Sequence, residues 1–556
     1  MKNIESPINH IIKPDTWQKR YEVHKYWGKK PSNVIAEYIN YFTNEGDTIL
    51  DVFSGFGVTT IEAVVNNRVG IGVDINPISK YICESMLKYV DLKEFKDEYK
   101  KMELELTNDM EWLYSTKCPN CSEPCKIVST IWEDNAPIEI KYLCKHCKAK
   151  GIKSLDELDL EKIKEINNTK IKYWYPKDKV FEGWETKKLK KAGIQDFSDI
   201  YSKRNLYALS SIFNYIVNID NKTIREIFIV TFTSMIAQAS KMIANYKGNS
   251  GGPSWKINTY WLPKSWQELN AWHYFGNRYK KMLKGKEETN RLIGDNNNYK
   301  FLLKSSSNLS NEIKNNSVDY IFTDPPYGGE GIQYLELSFI WNSWLRYFNE
   351  KIDWSNEVVF NPYREGNFDE KHYEIKLTEV FKEAYRVLKD GAWMTVTFAN
   401  KDLKIWNSII RAFKNSGFHL INIVPMEASA PNITQMLLKE TPKTDLIINV
   451  RKLINKPTNQ TVFNDFNFNI KLEEIADNHI DRNGRVSLNT LFDDLLIEWF
   501  TIKYSHENFD AQLVDFDKRM ITDYMNNSKL HSLYDCTETN ELRKKADIEW
   551  TTSSKS

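Results

Sequence analysis

Short apolar runs, each closed by an acid, a glycine or a proline, alternate along this chain with stretches whose apolar residues recur at helical spacing. Ile49 to Phe53 is the first such run, and Val69 to Val73 the second, closed by Asp74. Gly55 and Gly57 interrupt the chain between them and Thr59 to Val65 has helical character, so the region reads strand, glycine turn, helix, strand, acid, helix. A βαβ unit of this kind predicts a parallel sheet with helices on both faces, an α/β fold. The alternation then stops, and it resumes only at "YKFLLKSSS". From there "SVDYIFTDPPY", "EIKLTEVFKEAYRVLKDGAWMTVTFAN", "LKIWNSIIRAFKNSGFHLINIVPME" and "TDLIINV" give strands near 300, 320, 395, 422 and 447 with helices between most of them. A seven-stranded, mostly parallel sheet is therefore expected, built from residues 1–90 and 296–455. Residues 91–295 interrupt that unit; they hold a cysteine cluster at about 115–150 and a helical region at about 199–245. After Pro457 the pattern changes to "NQTVFNDFNFNIKLEEIAD", helical segments around 488–503 and 510–526, and a polar end, so 456–556 reads as a mixed, largely helical extension of unknown role.

At 556 residues the chain is too long for one ordinary core. It is 41% hydrophobic and 27% charged, which is globular rather than disordered. No apolar run of about 18 residues exists and the start lacks the apolar stretch of a secretory signal, so a cytoplasmic protein is expected. The net charge of +1 excludes a polycation, and any nucleic-acid affinity must come from a local patch. Residues 141–191 offer one: 15 Lys against 8 Asp or Glu, interleaved with Tyr173, Trp174, Tyr175 and Trp184. A lysine run is equally a solvated face. Five of the seven cysteines fall in "CPNCSEPCKIVSTIWEDNAPIEIKYLCKHC". Its two Cys-x-x-Cys pairs, Cys118/Cys121 and Cys144/Cys147, predict a closed four-thiolate zinc site of structural rather than catalytic kind, with Cys125 and His146 as bystanders.

Two stretches carry chemistry. In "DVFSGFGVTT", Gly55 and Gly57 let backbone approach a ligand, and the helix that follows presents free N–H groups to it. Asp74, at the end of the next strand, is placed to accept from ribose hydroxyls. Thr60 breaks the G-x-G-x-x-G pyrophosphate pattern, which favours a cofactor with one nucleoside over a dinucleotide. In "IFTDPPYGGEG" the prolines stop the strand at Thr323, so Asp324 and Tyr327 are held on a stiff turn at its end, and Gly328, Gly329 and Gly331 give the loop room to close. Ser305 and Ser306 end the strand near 300, and Asn400 ends the one near 395, on the same edge.

The Phe53-x-Gly55-x-Gly57 element, Asp324-Pro325-Pro326-Tyr327 and the upstream "HKYWGKKPSNVIAEYI", with Lys29, Lys30 and Pro31 in the matching place, resemble the S-adenosylmethionine-dependent amino-methyltransferases that modify adenine N6 or cytosine N4 in DNA. More narrowly they resemble the adenine-specific DNA methylases that contain a zinc ribbon. The resemblance spans roughly 24–90 and 300–450, and implies a class I Rossmann-like fold. It implies Asp324, Pro325, Pro326 and Tyr327 as catalytic residues. For the cofactor it implies Lys30, Pro31, Asp51, Phe53, Gly55, Gly57, Thr59, Asp74, Asn76 and Ser306. In that chemistry Asp324 and the Pro325 carbonyl accept the hydrogens of an exocyclic amine, Tyr327 stacks on a base flipped out of double-stranded DNA, and positioning is the main catalytic contribution. An acid in the first motif position fits adenine better than cytosine, and N4-cytosine stays open. The insertion is the expected DNA-recognition region, although in the family an insertion after the second strand is unusual; Arg204 and the loop "YKGNSGGPSWKINTYW" are candidates to line the DNA or cofactor cleft, and read equally as helix packing and a surface turn. A nucleoid-associated bacterial or archaeal enzyme of restriction-modification or phage defence, with a cognate restriction or defence subunit, is the implied setting. The rivals are a tRNA guanine-N2 methyltransferase and an inactive DNA-binding subunit.

Overall fold

The computed structural model describes residues 2, 4–245, 255–329, 331–400, 402–427, 444–454, 467–483, 485–505, 520–521, 534–536 and 541–544. Its strands in chain order are β1 (Thr48–Asp51) and β2 (Val69–Asp74); then β3 (Ser115–Lys117), β4 (Pro124–Glu133), β5 (Ala136–Leu143), β6 (Lys150–Ser154) and β7 (Ser265–Leu269); then β8 (Tyr299–Leu303), β9 (Val318–Thr323), β10 (Leu388–Phe398), β11 (His419–Glu427) and β12 (Thr444–Arg451); and, in a small third sheet, β13 (Arg485–Ser487), β14 (Tyr534–Cys536) and β15 (Glu541–Lys544). The helices are α1 (Ser32–Phe42), α2 (Val58–Val65), α3 (Pro77–Leu87), α4 (Leu92–Tyr114), α5 (Glu157–Asn168), α6 (Thr186–Lys191), α7 (Lys203–Val217), α8 (Lys222–Ile236), α9 (Ala271–Ile293), α10 (Tyr334–Leu345), α11 (Glu370–Val387), α12 (Leu403–Ser416), α13 (Phe468–Asn483) and α14 (Leu488–Ser505).

Seven strands form one mixed sheet in the order β11-β12-β10-β9-β1-β2-β8. The pairs β9–β10, β1–β9, β1–β2 and β2–β8 are parallel, while β12 runs antiparallel to both β10 and β11. All six residues of β9 are buried, so apolar residues stand on both of its faces at Val318, Tyr320, Ile321 and Phe322, and its one acid, Asp319, accepts from the Thr48 N–H. Its two faces feed different cores. Ile49, Tyr320, Phe322, Trp393 and Ile447 pack on one side, with Leu50, Ile321, Met394 and Ile448 on the other, the period-two alternation of a central sheet. Because β1, β2, β9 and β10 are parallel, their carboxyl ends gather on one edge, and the register Leu50 to Ile321 and Thr323 to Val396 levels them there.

The insertion is a second, smaller antiparallel sheet, β3-β4-β5-β6 with β7 paired to β4. Its helices pack directly on the main sheet's layer: Phe95, Phe228, Phe275 and Tyr279 share one continuous apolar cluster with Val34, Ile61 and Met86. On the opposite face α13 and α14 lie on the layer of α11 and α12, with Leu472, Leu491, Leu495 and Trp499 buried in the second cluster and Phe500 edge-on to Trp406 at 5.8 Å. The extension therefore completes a core rather than standing apart. The segment expected to be helical at 510–526 lies almost wholly outside the described residues, as do residues 246–254 of the stretch "YKGNSGGPSWKINTYW". Among the described residues no helix is long and apolar enough to cross a membrane.

Candidate active site and metal centre

A cleft opens at the carboxyl edge of β1, β2, β8 and β9, the place where parallel sheets bind ligands. Its empty volume, open mouth included, is about 930 Å³. Lys30, Asp51, Phe53, Gly55, Thr59, Asp74, Asn76, Ser306, Asp324 and Pro326 all line it, although they come from stretches up to about three hundred residues apart. Four other expected residues do not: Pro31, Gly57, Pro325 and Tyr327.

The nucleoside end is built on hydrogen-bonded carboxylates. Asp74 accepts from the Gly55 N–H (2.6 Å) and the Asn76 N–H (2.8 Å), which folds the glycine turn back over the end of β2. Burial raises its pKa to about 6, against the backbone N–H bonds that favour the charged form. Asp51 is buried below the turn, accepting from the Phe53 N–H (3.1 Å) and the Thr323 hydroxyl (2.7 Å), and burial raises its pKa to about 7. Gly55 takes a positive φ of 51°, and a Cβ there would lie 3.0 Å from the Tyr26 ring. Ser306 donates to the Val52 carbonyl at 2.6 Å, tying the end of β8 to β1. Asn76 is locked in a buried network, donating to Ser338 Oγ (2.9 Å) and accepting from Asn342 Nδ2 (2.8 Å), so it braces the floor.

Two expected cofactor contacts have other work. Gly57 has a φ of 92°, and a Cβ there would lie 2.5 Å from Cys83 Sγ: the residue is glycine because α2 begins against α3. Pro31 precedes the first turn of α1 and its carbonyl accepts from the Ile35 N–H.

The catalytic-loop end is an ionic cluster. Lys30 Nζ lies 3.1 Å from Asp324 Oδ2 and 3.0 Å from Asp445 Oδ2, and donates to the Tyr327 hydroxyl. Burial alone would lower the lysine pKa; the two carboxylates and the tyrosine outweigh it, and the ammonium stays charged well above the usual range. The other oxygen of Asp324 accepts from Thr397 Oγ1 at 2.8 Å. Burial lifts the Asp324 pKa to about 6, Lys30 works against that rise and Asp445 adds to it. Tyr327 turns away from the cleft: its ring meets the Phe398 edge with centroids 5.2 Å apart, Lys30 Nζ lies 4.9 Å from its centroid, and its hydroxyl lies 3.4 Å from Asp445. The expected stacking of this ring on a base is thus not presented in this conformation. The loop is pinned by Tyr373, which donates to the Pro326 carbonyl (2.7 Å), and by Asn400, whose amide donates to the Tyr327 carbonyl (2.6 Å).

Sequence reasoning missed Tyr26, Gly28, Tyr334, Thr397 and Asp445. Gly28 lies in the "YWGKKP" run already singled out; it takes a φ of 64°, which favours glycine, and a Cβ on it would stand in ordinary contact with the Tyr334 hydroxyl (3.4 Å) and Asp324 Oδ2 (3.7 Å). Arg204, read as a candidate for the DNA or cofactor cleft, is instead buried in the insertion, 3.0 Å from both Glu268 Oε2 and Thr130 Oγ1. In the lysine-rich stretch Lys187 lies over the half-exposed Tyr363 ring beside Trp184, whereas Trp174 packs against Phe213 and Tyr347. Glu336 of α10 accepts from the N–H groups of Trp184 (3.0 Å) and Glu185 (2.9 Å), which ties this stretch to the helix that follows the catalytic loop.

The four paired cysteines converge. Cys118, Cys121, Cys144 and Cys147 place their sulfurs within 4.8 Å of one another, with Cys118–Cys147 and Cys121–Cys144 both at 3.7 Å. Sulfurs about 2.3 Å from a tetrahedral metal are separated by roughly 3.8 Å, so the set fits a four-thiolate ion and not a disulfide. Ser122 and Lys148, each directly after the second cysteine of its pair, both take positive φ (63° and 61°), so the two turns are built alike. His146 is exposed and Cys125 is buried outside the four.

The fold and cleft define an α/β chain with an open cleft and an acidic loop at one sheet edge. Residues 5–88 match the N6_N4_Mtase family, described as DNA methylase. A relative is the Type II methyltransferase M.MjaII of Methanocaldococcus jannaschii, 31% identical over 74 residues. That match covers 13% of this chain and 14% of the relative's length. Among solved structures, an S-adenosylmethionine-dependent methyltransferase of Methanosarcina mazei is 13% identical over 30% of this chain and 79% of its own, with a TM-score of 0.16. A 16S rRNA (adenine(1408)-N(1))-methyltransferase of Catenulisporales acidiphilia is 9% identical over 31% and 74%, with a TM-score of 0.18. At such scores these two likenesses carry no argument.

Proposed function

We propose that this chain is a DNA methyltransferase that uses S-adenosylmethionine to methylate an exocyclic amine, N6 of adenine in the first instance and N4 of cytosine as the alternative. The observation that carries the reading is convergence: the glycine turn with Asp74, and Asp324 from the Asp-Pro-Pro-Tyr loop, line a single cleft. The match of residues 5–88, the span that holds the glycine turn and Asp74, to a DNA methylase family supports the same reading. The donor set fits the cofactor. Asp74 keeps unused lone pairs for ribose hydroxyls, Gly55 leaves room beside Tyr26, and the cleft is lined by four acids, Asp51, Asp74, Asp324 and Glu357, against three lysines, of which Lys30 is already paired to Asp324 and Asp445. Bound there, S-adenosylmethionine would supply a methyl group on a sulfonium.

The chain's own part is to present the amine. An exocyclic amine is a poor nucleophile because its lone pair is delocalised into the ring. An ionised Asp324 accepting one of its hydrogens restores that lone pair and aims it; Thr397 fixes the carboxylate plane. No covalent intermediate is required. The insertion is assigned to DNA recognition, with Lys187 and Trp184, beside Tyr363 of the catalytic unit, as contacts, the four cysteines to a structural zinc ion, and the target base to a flipped-out position. Residues 1–90 and 296–455 act as the catalytic unit. Mass spectrometry of nucleosides from DNA incubated with protein and S-adenosylmethionine tests this. Wild type yields N6-methyladenine and Asp324→Ala yields none while still binding cofactor; normal turnover in Asp324→Ala removes that residue from the mechanism.

A further inference from the structure

Lys30 stands in the stretch that resembles a cofactor motif and lines the cleft, yet the partners of its ammonium belong to the catalytic loop and β12. It sits between two carboxylates, 3.1 Å from Asp324 and 3.0 Å from Asp445, and donates to Tyr327. Asp445 reaches this cluster for a topological reason. Because β12 is antiparallel, its first residues lie beside the last residues of β10, with Leu446 opposite Phe398, so an acid at the start of β12 arrives at the edge where β9 ends. Its carboxylate faces both Lys30 and the Tyr327 hydroxyl (3.4 Å). Asp324 is thereby held from two directions, by Thr397 on Oδ1 and by Lys30 on Oδ2, and each oxygen retains a lone pair for a substrate N–H.

Resting on the methyltransferase reading, we propose that Lys30 and Asp445 are positioning residues for Asp324: Lys30 holds that carboxylate oriented toward the cleft, and Asp445 anchors both Lys30 and Tyr327 so that the loop keeps its shape. Lys30 is therefore assigned to the reacting acid and not to the cofactor. The charged and titratable groups facing Asp324 are Lys30, Asp445, Tyr327, Tyr334 and, below the turn, Asp51.

The sign of the expected pH effect follows from this set. Asp324 accepts a hydrogen only when ionised, so the rate rises with pH through its pKa of about 6. Removing the lysine cation raises that pKa, and removing the Asp445 charge lowers it. In Lys30→Met the acidic limb of the kcat profile moves up by about one pH unit or more and kcat at neutral pH falls at least about tenfold, with the Kd for S-adenosylmethionine within about threefold of wild type. Lys30→Arg regains part of the loss, and Asp445→Asn moves the limb down. The titration of aspartate side-chain carbons by NMR, compared between wild type and Lys30→Met, reads the same shift without turnover. A wild type that methylates but whose Lys30→Met variant keeps an unmoved limb and titration overturns the pairing, and so does a loss of cofactor affinity that accounts for the whole defect. A wild type that methylates no DNA, yet whose aspartate titration shifts in Lys30→Met, sinks the functional reading and leaves the pairing standing.

Discussion

Gly57 was expected to touch a ligand and instead lies with its Cα against Cys83, at a φ of 92° that side chains rarely adopt. The same letter in the same motif thus has two physical origins: Gly55 gives way to the cleft wall at Tyr26, and Gly57 to a neighbouring helix. The distinction is not legible in a sequence, because it depends on what packs across from the turn. Gly57→Ala combines backbone strain with a Cβ 2.5 Å from a sulfur, so a loss of about 2–4 kcal/mol in unfolding free energy is expected from denaturant titration. A loss below about 0.5 kcal/mol would mean that α2 and α3 are not in the contact described. The acids of the cleft were legible as residues, and their environments were not. Asp51, Asp74 and Asp324 each carry a pKa raised by burial, and only the three-dimensional arrangement supplies that burial.

Among the elements, the strands were the most readable because a central parallel strand is buried on both faces and so carries apolar residues on both, as Tyr320, Ile321 and Phe322 do in β9. The seven runs singled out in the sequence correspond to the seven strands of the main sheet. Direction was harder. An antiparallel β12 has the same composition as a parallel one, and reading the sheet as mostly parallel gives no reason to look for a functional acid at Asp445, which a parallel strand would carry to the opposite edge. The small sheet of the insertion was legible only through its cysteines. Both thiolate turns hang from β3 to β6, so the ion is expected to hold those strands in register. Cys118→Ser should therefore lower bound zinc, measured by atomic absorption, from about one ion per chain and make the insertion more sensitive to protease. Unchanged stoichiometry would show that the four sulfurs do not form the site.

For the whole molecule, a net charge of +1 leaves no overall attraction for DNA. The structure puts Lys187 and Trp184 on the segment tied through Glu336 to α10, the helix that begins just past the catalytic loop, with the Tyr363 ring against both side chains. That placement joins the lysine-rich stretch to the cleft through one continuous core rather than through a flexible linker. If these lysines meet phosphates, the logarithm of the DNA association constant falls linearly with the logarithm of salt concentration, and neutralising Lys187 reduces the slope by about one. A slope near zero would assign the patch to solvent. The C-terminal helices, in contrast, gave no functional signal in the sequence, because α13 and α14 are used to cover the layer of α11 and α12.

The account depends above all on one cleft serving both the nucleoside and the acid of the loop. Its most direct test is a crystal structure of the protein with S-adenosylhomocysteine. The account predicts ribose hydroxyls at Asp74, backbone of the Gly55 turn against the ligand, and the ligand sulfur facing Asp324 across the space left for a base. A ligand bound elsewhere, or one whose sulfur points away from Asp324, would contradict it.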